Sequence, residues 1–195
     1  MNRSLRRAFG AAASVLTALG AAQAAVLGVA RIEITLTDTT GAGVSSFLQV
    51  AEVVAMSGGA DVALTGTASA SGSSTWPTLV AGSAIDGNTG GAYFTDVFYH
   101  SGTGDANPVL TIDFGGAAFD LDSLAIWGRT DCCLGRDVYT VKLYGLDGAI
   151  LFEEANLAAN GSFAAANLTP VPLPGALALF GPAIAGLIAA RRRRA

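Results

Sequence analysis

Cys132 and Cys133 stand next to each other and are the only cysteines in the chain. Adjacent sulfurs offer three kinds of chemistry: a vicinal disulfide, a free dithiol for redox exchange, or half of a soft-metal site. Zinc normally takes three or four protein ligands, so two cysteines and the sole histidine, His100, make a thin set. A bond between neighbours closes a small ring and gives little loop-closure stabilisation. Its value is local, as a rigid apolar sulfur surface on a loop. The cysteines sit in Arg129-Thr130-Asp131-Cys132-Cys133-Leu134-Gly135-Arg136. Two readings of the charges stay open: an Arg–Asp pair pinning a surface loop, or a fork of guanidinium donors for a ligand's hydroxyl oxygens. His100, in Phe98-Tyr99-His100-Ser101-Gly102, is open to a structural or a donor role in the same way.

The charge distribution sharpens this. Of eleven basic residues, seven lie at the ends: Arg3, Arg6, Arg7 and Arg191 to Arg194. The middle carries only Arg31, Arg129, Arg136 and Lys142 against all fifteen acidic residues, a balance of −11 hidden by the whole-chain value of −4. Such an acidic middle is unsuited to binding nucleic acid through its phosphates. Two of its four cations bracket the cysteine pair.

Both ends read as addresses. Arg3, Arg6 and Arg7 precede an apolar, alanine-rich run from Ala8 to Ala21, and Ala22-Gln23-Ala24 offers a small-x-small cleavage site. Residues 1–24 are therefore expected to be a secretory signal peptide, with an uncleaved anchor as the alternative. At the other end, Val171-Pro172-Leu173-Pro174 leads into an apolar run, Gly175 to Ala190, and then four arginines. Sixteen helical residues reach about 24 Å, short for a bilayer core of ~30 Å. Residues 171–195 resemble the PEP-CTERM sorting tail of Gram-negative bacteria, although Leu173 stands where that family's tail has glutamate. The resemblance implies a transient stop in the inner membrane, processing by an exosortase-type enzyme, and delivery to the envelope, cell surface or extracellular matrix.

Removing both ends leaves about 145 residues, enough for one domain. The expected domain spans 25–154, and the low-complexity stretch 155–170 is expected to link it to the tail. Val29 to Leu36 alternates with period two, and further strands are expected at Phe47 to Met56, Val62 to Ala68, Tyr93 to Tyr99, Val109 to Phe114, Ser123 to Trp127, Val138 to Tyr144 and Ala149 to Phe152. Gly58-Gly59, Asp86-Gly87-Asn88 and Asp147-Gly148 punctuate them. Short strands at this spacing predict an all-β antiparallel sandwich.

Asp86-Gly87-Asn88, a later histidine, Asn107-Pro108 and then Arg129-x-Asp131-Cys132-Cys133-x-x-Arg136 resemble the F-type (eel fucolectin-like) lectins. These are jelly-roll domains of the discoidin or galactose-binding-like group. The family's Arg-x-Asp-x4-Arg motif aligns without a gap. The resemblance implies sugar binding, with fucose or a related sugar as ligand. His100, Arg129 and Arg136 would be donors, a Cys132–Cys133 disulfide would lie against the sugar's edge, and Asp131 would hold a guanidinium in place. Val109-Leu110 stands where the family has an aromatic pair.

The resemblance further implies a structural Ca2+ site built from Asp86, Asn88 and Glu52, with Ser83 and Ala51 in the set. Hard cations take oxygen ligands of these kinds. The alternative is a plain turn at Asp86-Gly87-Asn88 and an edge-strand charge at Glu52. Glu52 would come from the family's last strand, so strands Arg31 to Leu36 and Phe47 to Val54 would have moved to the front by circular permutation, which close chain ends permit.

No nucleophile or acid–base pair stands out, so the expectation is a binding protein rather than an enzyme. Three functions are carried forward: an exported protein that binds glycan or exopolysaccharide, a structural matrix protein of the same fold without a sugar ligand, and a thiol-based redox or metal sensor.

Overall fold

A computed structural model describes residues 26–37, 47–71, 79–102, 105, 107–132 and 134–168. The signal peptide and the sorting tail expected from the sequence lie outside the described residues, as does Cys133. The chain is an antiparallel β-sandwich, as expected. Numbered along the chain, the five-stranded sheet runs β12 (Ile150–Ala158), β11 (Val138–Tyr144), β2 (Arg31–Leu36), β8 (Val109–Asp113), β6 (Thr67–Ala70). The four-stranded sheet runs β13 (Phe163–Ala166), β10 (Ser123–Trp127), β4 (Glu52–Ser57), β5 (Ala60–Asp61). Two short ribbons flank them: β1 (Val26–Val29) with β9 (Phe119–Leu121), and β3 (Gln49–Val50) with β7 (Tyr99–His100). Among the described residues no helix is long and apolar enough to cross a membrane.

Alternation builds the core. In β2 and β11 every second side chain is buried, placing Ile32, Ile34, Tyr139, Val141 and Leu143 on the inner face. Leu110 and Ile112 of β8 extend that layer, and Val53, Ala55, Leu124 and Ile126 face it from the other sheet. Each such aliphatic side chain contributes ~1.5–3 kcal/mol on full burial.

Several expected segments differ from what forms, and Phe47 to Met56 divides at Ala51 into β3 and β4, which pair in different sheets. Val62 to Ala68 divides into a 3-10 turn, Ala63–Thr65, and the start of β6. The Asp61 carboxylate accepts the amides of Ala55 and Ala63, at 3.0 Å each, and so turns the chain. Tyr93 to Tyr99 is mostly a turn, because Asp96 accepts the Ala92 amide at 2.8 Å while its own amide returns to the Ala92 carbonyl. Only Tyr99 and His100 pair, against Val50 and Gln49.

The strand expected to end at Phe152 continues to Ala158, and the stretch 155–170 expected as a linker holds both that continuation and β13. Leu157, Ala164 and Leu168 from this stretch are buried. Asn160 (φ 47°) and Gly161 (φ 81°) form the tight turn between Ala159 and Ser162 that carries the chain from one sheet to the other. Alanine is depleted in strands generally, so this alanine-rich segment gave a weak strand signal, and tertiary pairing with β10 overrides it.

Candidate functional site

The loop that joins β10 to β11 meets the turn that precedes β7. Two glycines make that meeting possible. A Cβ on Gly91 would lie 2.4 Å from the Gly128 carbonyl oxygen, and one on Gly128 would lie 2.7 Å from the Asp137 carboxylate. The Thr130 amide donates to the Gly91 carbonyl across this seam at 3.0 Å.

Arg129 is 7% exposed and held on several sides. Its Nε donates to Asp131 Oδ1 at 2.5 Å, and its Cζ lies 4.5 Å above the Tyr93 ring. Asp131 Oδ2 accepts the Tyr93 amide at 3.0 Å, so one carboxylate ties the guanidinium to the aromatic beneath it. The hydrogen bond from the Arg129 guanidinium, helped by the Tyr93 amide and opposed by burial, holds the Asp131 carboxyl below its ordinary range. The Arg129 amide donates to Asp137 Oδ2 at 2.7 Å. Asp137 is fully buried, and burial pushes its carboxyl up to about 7, opposed by that amide and by the Arg136 and Arg129 charges.

Arg136 ends a 3-10 turn, Leu134–Arg136, and its Nε is buried without a hydrogen-bond partner among the described residues. Cys132, half-buried between the arginines, is not a free thiol. Its neighbour Cys133 falls outside the described residues.

His100 lies beneath this loop rather than on its surface, at 3% exposed. Its Nδ1 donates to the Ser101 carbonyl at 2.9 Å, and a carbonyl can only accept. Nε2 therefore accepts from the Gln49 amide nitrogen at 2.8 Å in the neutral tautomer. Burial, then the Arg129 and Arg136 charges, hold the imidazole below its usual range, so it is neutral. Phe47 (4.7 Å) and Tyr93 (5.4 Å) pack against it. The structure thus gathers His100, Arg129, Asp131, Cys132 and Arg136, with both ring nitrogens of His100 already engaged by protein.

The set expected to hold calcium also converges in part. Glu52 is 1% exposed, and its Oε2 accepts the amides of Asp86 (3.2 Å) and Gly87 (3.1 Å). Its Oε1 is buried and has no hydrogen-bond partner among the described residues. Burial, helped by the Asp86 and Asp61 charges and opposed by those two amides, pushes the Glu52 carboxyl up to about 7. Asp86 Oδ1 accepts the Asn88 amide and Asn88 Oδ1 accepts the Gly90 amide, both at 2.9 Å. Ser83 and Ala51 are buried beside this turn, Ser83 on the 3-10 turn Ala81–Ile85 and Ala51 just before β4. A buried carboxylate oxygen without a partner, in a carboxylate whose other oxygen holds the Asp86 and Gly87 amides, fits a hard cation. Among the described residues no three His, Cys, Asp or Glu side chains gather as a metal group, so a cation here would draw on amide and backbone oxygens as well.

Sequence reading did not single out Tyr93, Gln49 or Asp137. Gly90-Gly91 before an aromatic residue was the available signal for a close loop crossing; the rest depends on partners 8 to 51 residues away. No family model, curated protein or solved structure matches the chain.

Proposed function

We propose that this chain is an exported carbohydrate-binding protein of the F-type lectin kind, acting at the envelope or in the extracellular matrix of a Gram-negative bacterium. Arg129 and Arg136 donate to the ring and hydroxyl oxygens of a neutral fucose- or galactose-type sugar. A vicinal Cys132–Cys133 disulfide lies along the sugar's apolar edge, and neutral His100 forms the floor. The observation that carries this reading is the unpartnered, buried Nε of Arg136 beside an Arg129 already oriented by Asp131 and Tyr93. A guanidinium held in place before binding loses less freedom when a ligand arrives. Asp131 and Asp137 are each bonded to Arg129, which suits a supporting role for these carboxylates and favours binding over hydrolysis.

Glu52, Asp86 and Asn88, with Ser83 and Ala51, would hold Ca2+, which when bound supplies charge that braces the 86–90 turn. The position of β2 between β11 and β8, and of β4 beside β10, supports the circularly permuted strand order. The tail 171–195 would direct exosortase processing at the inner membrane.

A second reading, a structural matrix protein without a sugar ligand, is favoured by the engagement of both His100 nitrogens and of Arg129 by the protein's own groups. A glycan array separates the two. The lectin reading expects fucosylated or galactosylated glycans to be retained by wild type and lost by Arg129→Ala and Arg136→Ala. Binding to nothing, or equal binding by both variants, overturns it.

A further inference from the structure

The opposite end of the sandwich carries a second recess. β11 is seven residues long, so its two ends are about 20 Å apart. Asp137 and the arginine loop stand at one end. At the other, Arg31, Asp113, Leu146 and the backbone of Gly116, Gly145 and Gly148 line a cavity of about 200 Å3. Arg31 sits directly across from Asp113 on β8 and from Tyr144 on β11, so all three project to the same outer face.

Arg31 is held on two sides. Its Cζ lies 4.2 Å over the Tyr144 ring, and its Nε approaches Glu33 Oε1 at 3.3 Å without an aligned hydrogen bond. Glu33 is itself fixed by the Tyr144 hydroxyl, which donates to Oε2 at 2.8 Å. Asp113 faces Arg31 across the ladder, yet among the described residues the ion pair of Arg31 is with Glu33. Asp113 Oδ1 accepts the Gly115 amide at 2.7 Å. The recess thus has donors on one wall and an acceptor on the other, not joined to each other. Leu146 at its rim is 67% exposed.

We propose that this recess is a second binding site for one ring of a neutral saccharide, so that a single chain can hold glycan at both ends. A hydroxyl both donates and accepts, so neighbouring hydroxyls can bridge Arg31 and Asp113 where a pure acceptor or pure donor cannot. Asp113 opposes an anion and Arg31 opposes a cation, which leaves a neutral polyol. The C–H face of a sugar matches Leu146. The volume, below the ~300–1,000 Å3 of ordinary ligand clefts, limits the occupant to about one ring. This inference does not depend on Arg129 and Arg136.

NMR of the isotope-labelled full chain tests it, with fucose, galactose, glucose and glucuronate as probes. The expected result is movement of the Gly116 and Gly148 amides and the Leu146 methyls with at least one neutral sugar. The apparent affinity should fall about tenfold in Arg31→Met and in Asp113→Ala, as loss of a charge-assisted hydrogen bond implies. Arg31 also packs on Tyr144, so Leu146→Ser repeats the test at an exposed turn. No movement with any neutral sugar, movement with glucuronate alone, or undiminished response in all three variants overturns the proposal. Far-end shifts that persist when the array shows no dependence on Arg129 and Arg136 leave this site standing and remove the other.

Discussion

The two ends of the sandwich use the scarce positive charge in opposite ways. At the Arg129 end, cation, carboxylate and aromatic are packed into loops crossing at Gly91 and Gly128, and a buried carboxylate, Asp137, fastens the backbone. At the Arg31 end the charged groups stand at strand termini, partly exposed, placed by the register of the ladder and by surface contacts of Arg31 with Tyr144 and Glu33. One end is costly to disturb and specific in shape; the other is tolerant and open. Sites built from crossing loops depend on backbone approach, whereas sites built from strand ends depend on register.

That contrast can be broken most sharply at the glycines. Gly91→Ala should destabilise by about 3 kcal/mol in urea unfolding, because its Cβ would meet a backbone oxygen that cannot move aside. At the far end Gly116, with φ 88° and open space around it, should cost only about 1 kcal/mol as alanine. Equal costs would remove the distinction.

Acidity gives the next largest effect. Asp137 and Glu52 both have carboxyls raised to about 7 in the folded chain. Below the unfolded carboxylate range near pH 4 both states are protonated, and the stability linked to these groups is fully present. It is lost as pH rises to about 7, on the order of 2–3 kcal/mol for each. Melting temperatures across pH 4 to 8 should show the fall, and Asp137→Asn should flatten part of it. Asp137→Ala, which also removes the acceptor for the Arg129 amide, should cost about 2 kcal/mol at pH 5.

Calcium, if bound at Glu52 as proposed, would work against the Glu52 component. At pH 7.5, free Ca2+ tenfold above its Kd should add ~1.4 kcal/mol, seen as a higher Tm that a chelator reverses and that Glu52→Gln abolishes. An unchanged Tm removes the cation from the proposal. The smallest expected effect lies on the outer face of the five-stranded sheet. Lys142 and Glu153 pair at 3.4 Å in partial exposure, so Lys142→Met should change stability by less than about 0.5 kcal/mol.

Strands with clear alternation were legible from the sequence. Ser123 to Trp127 and Val138 to Tyr144 form with the expected limits, because one face of each is buried. Segments governed by side-chain-to-backbone bonds were not. Asp61 and Asp96 turn the chain where apolar residues suggested strands. β13 was hidden by its alanines, although Asn160-Gly161 carried the strongest two-residue turn signal in the stretch. Within the site, the arginines and cysteines were identifiable from their rarity and spacing. Tyr93, Gln49 and Asp137 were not, because their roles come from cation–π, imidazole and amide contacts that only the folded chain brings together.

The passage through Asn160-Gly161 also has a mechanical consequence. It leaves β13, the last strand among the described residues, at the edge of the four-stranded sheet with β10 as its ladder neighbour. Tension applied to the chain beyond Leu168 would load buried Leu168 and the Asn167–Glu154 bond, and then four residue pairs, from Leu124–Ala166 to Trp127–Phe163, where ring centroids are 4.8 Å apart. A pull from that side would peel this edge strand before it loaded the arginine loop, making β13 a mechanical fuse for the rest of the sandwich.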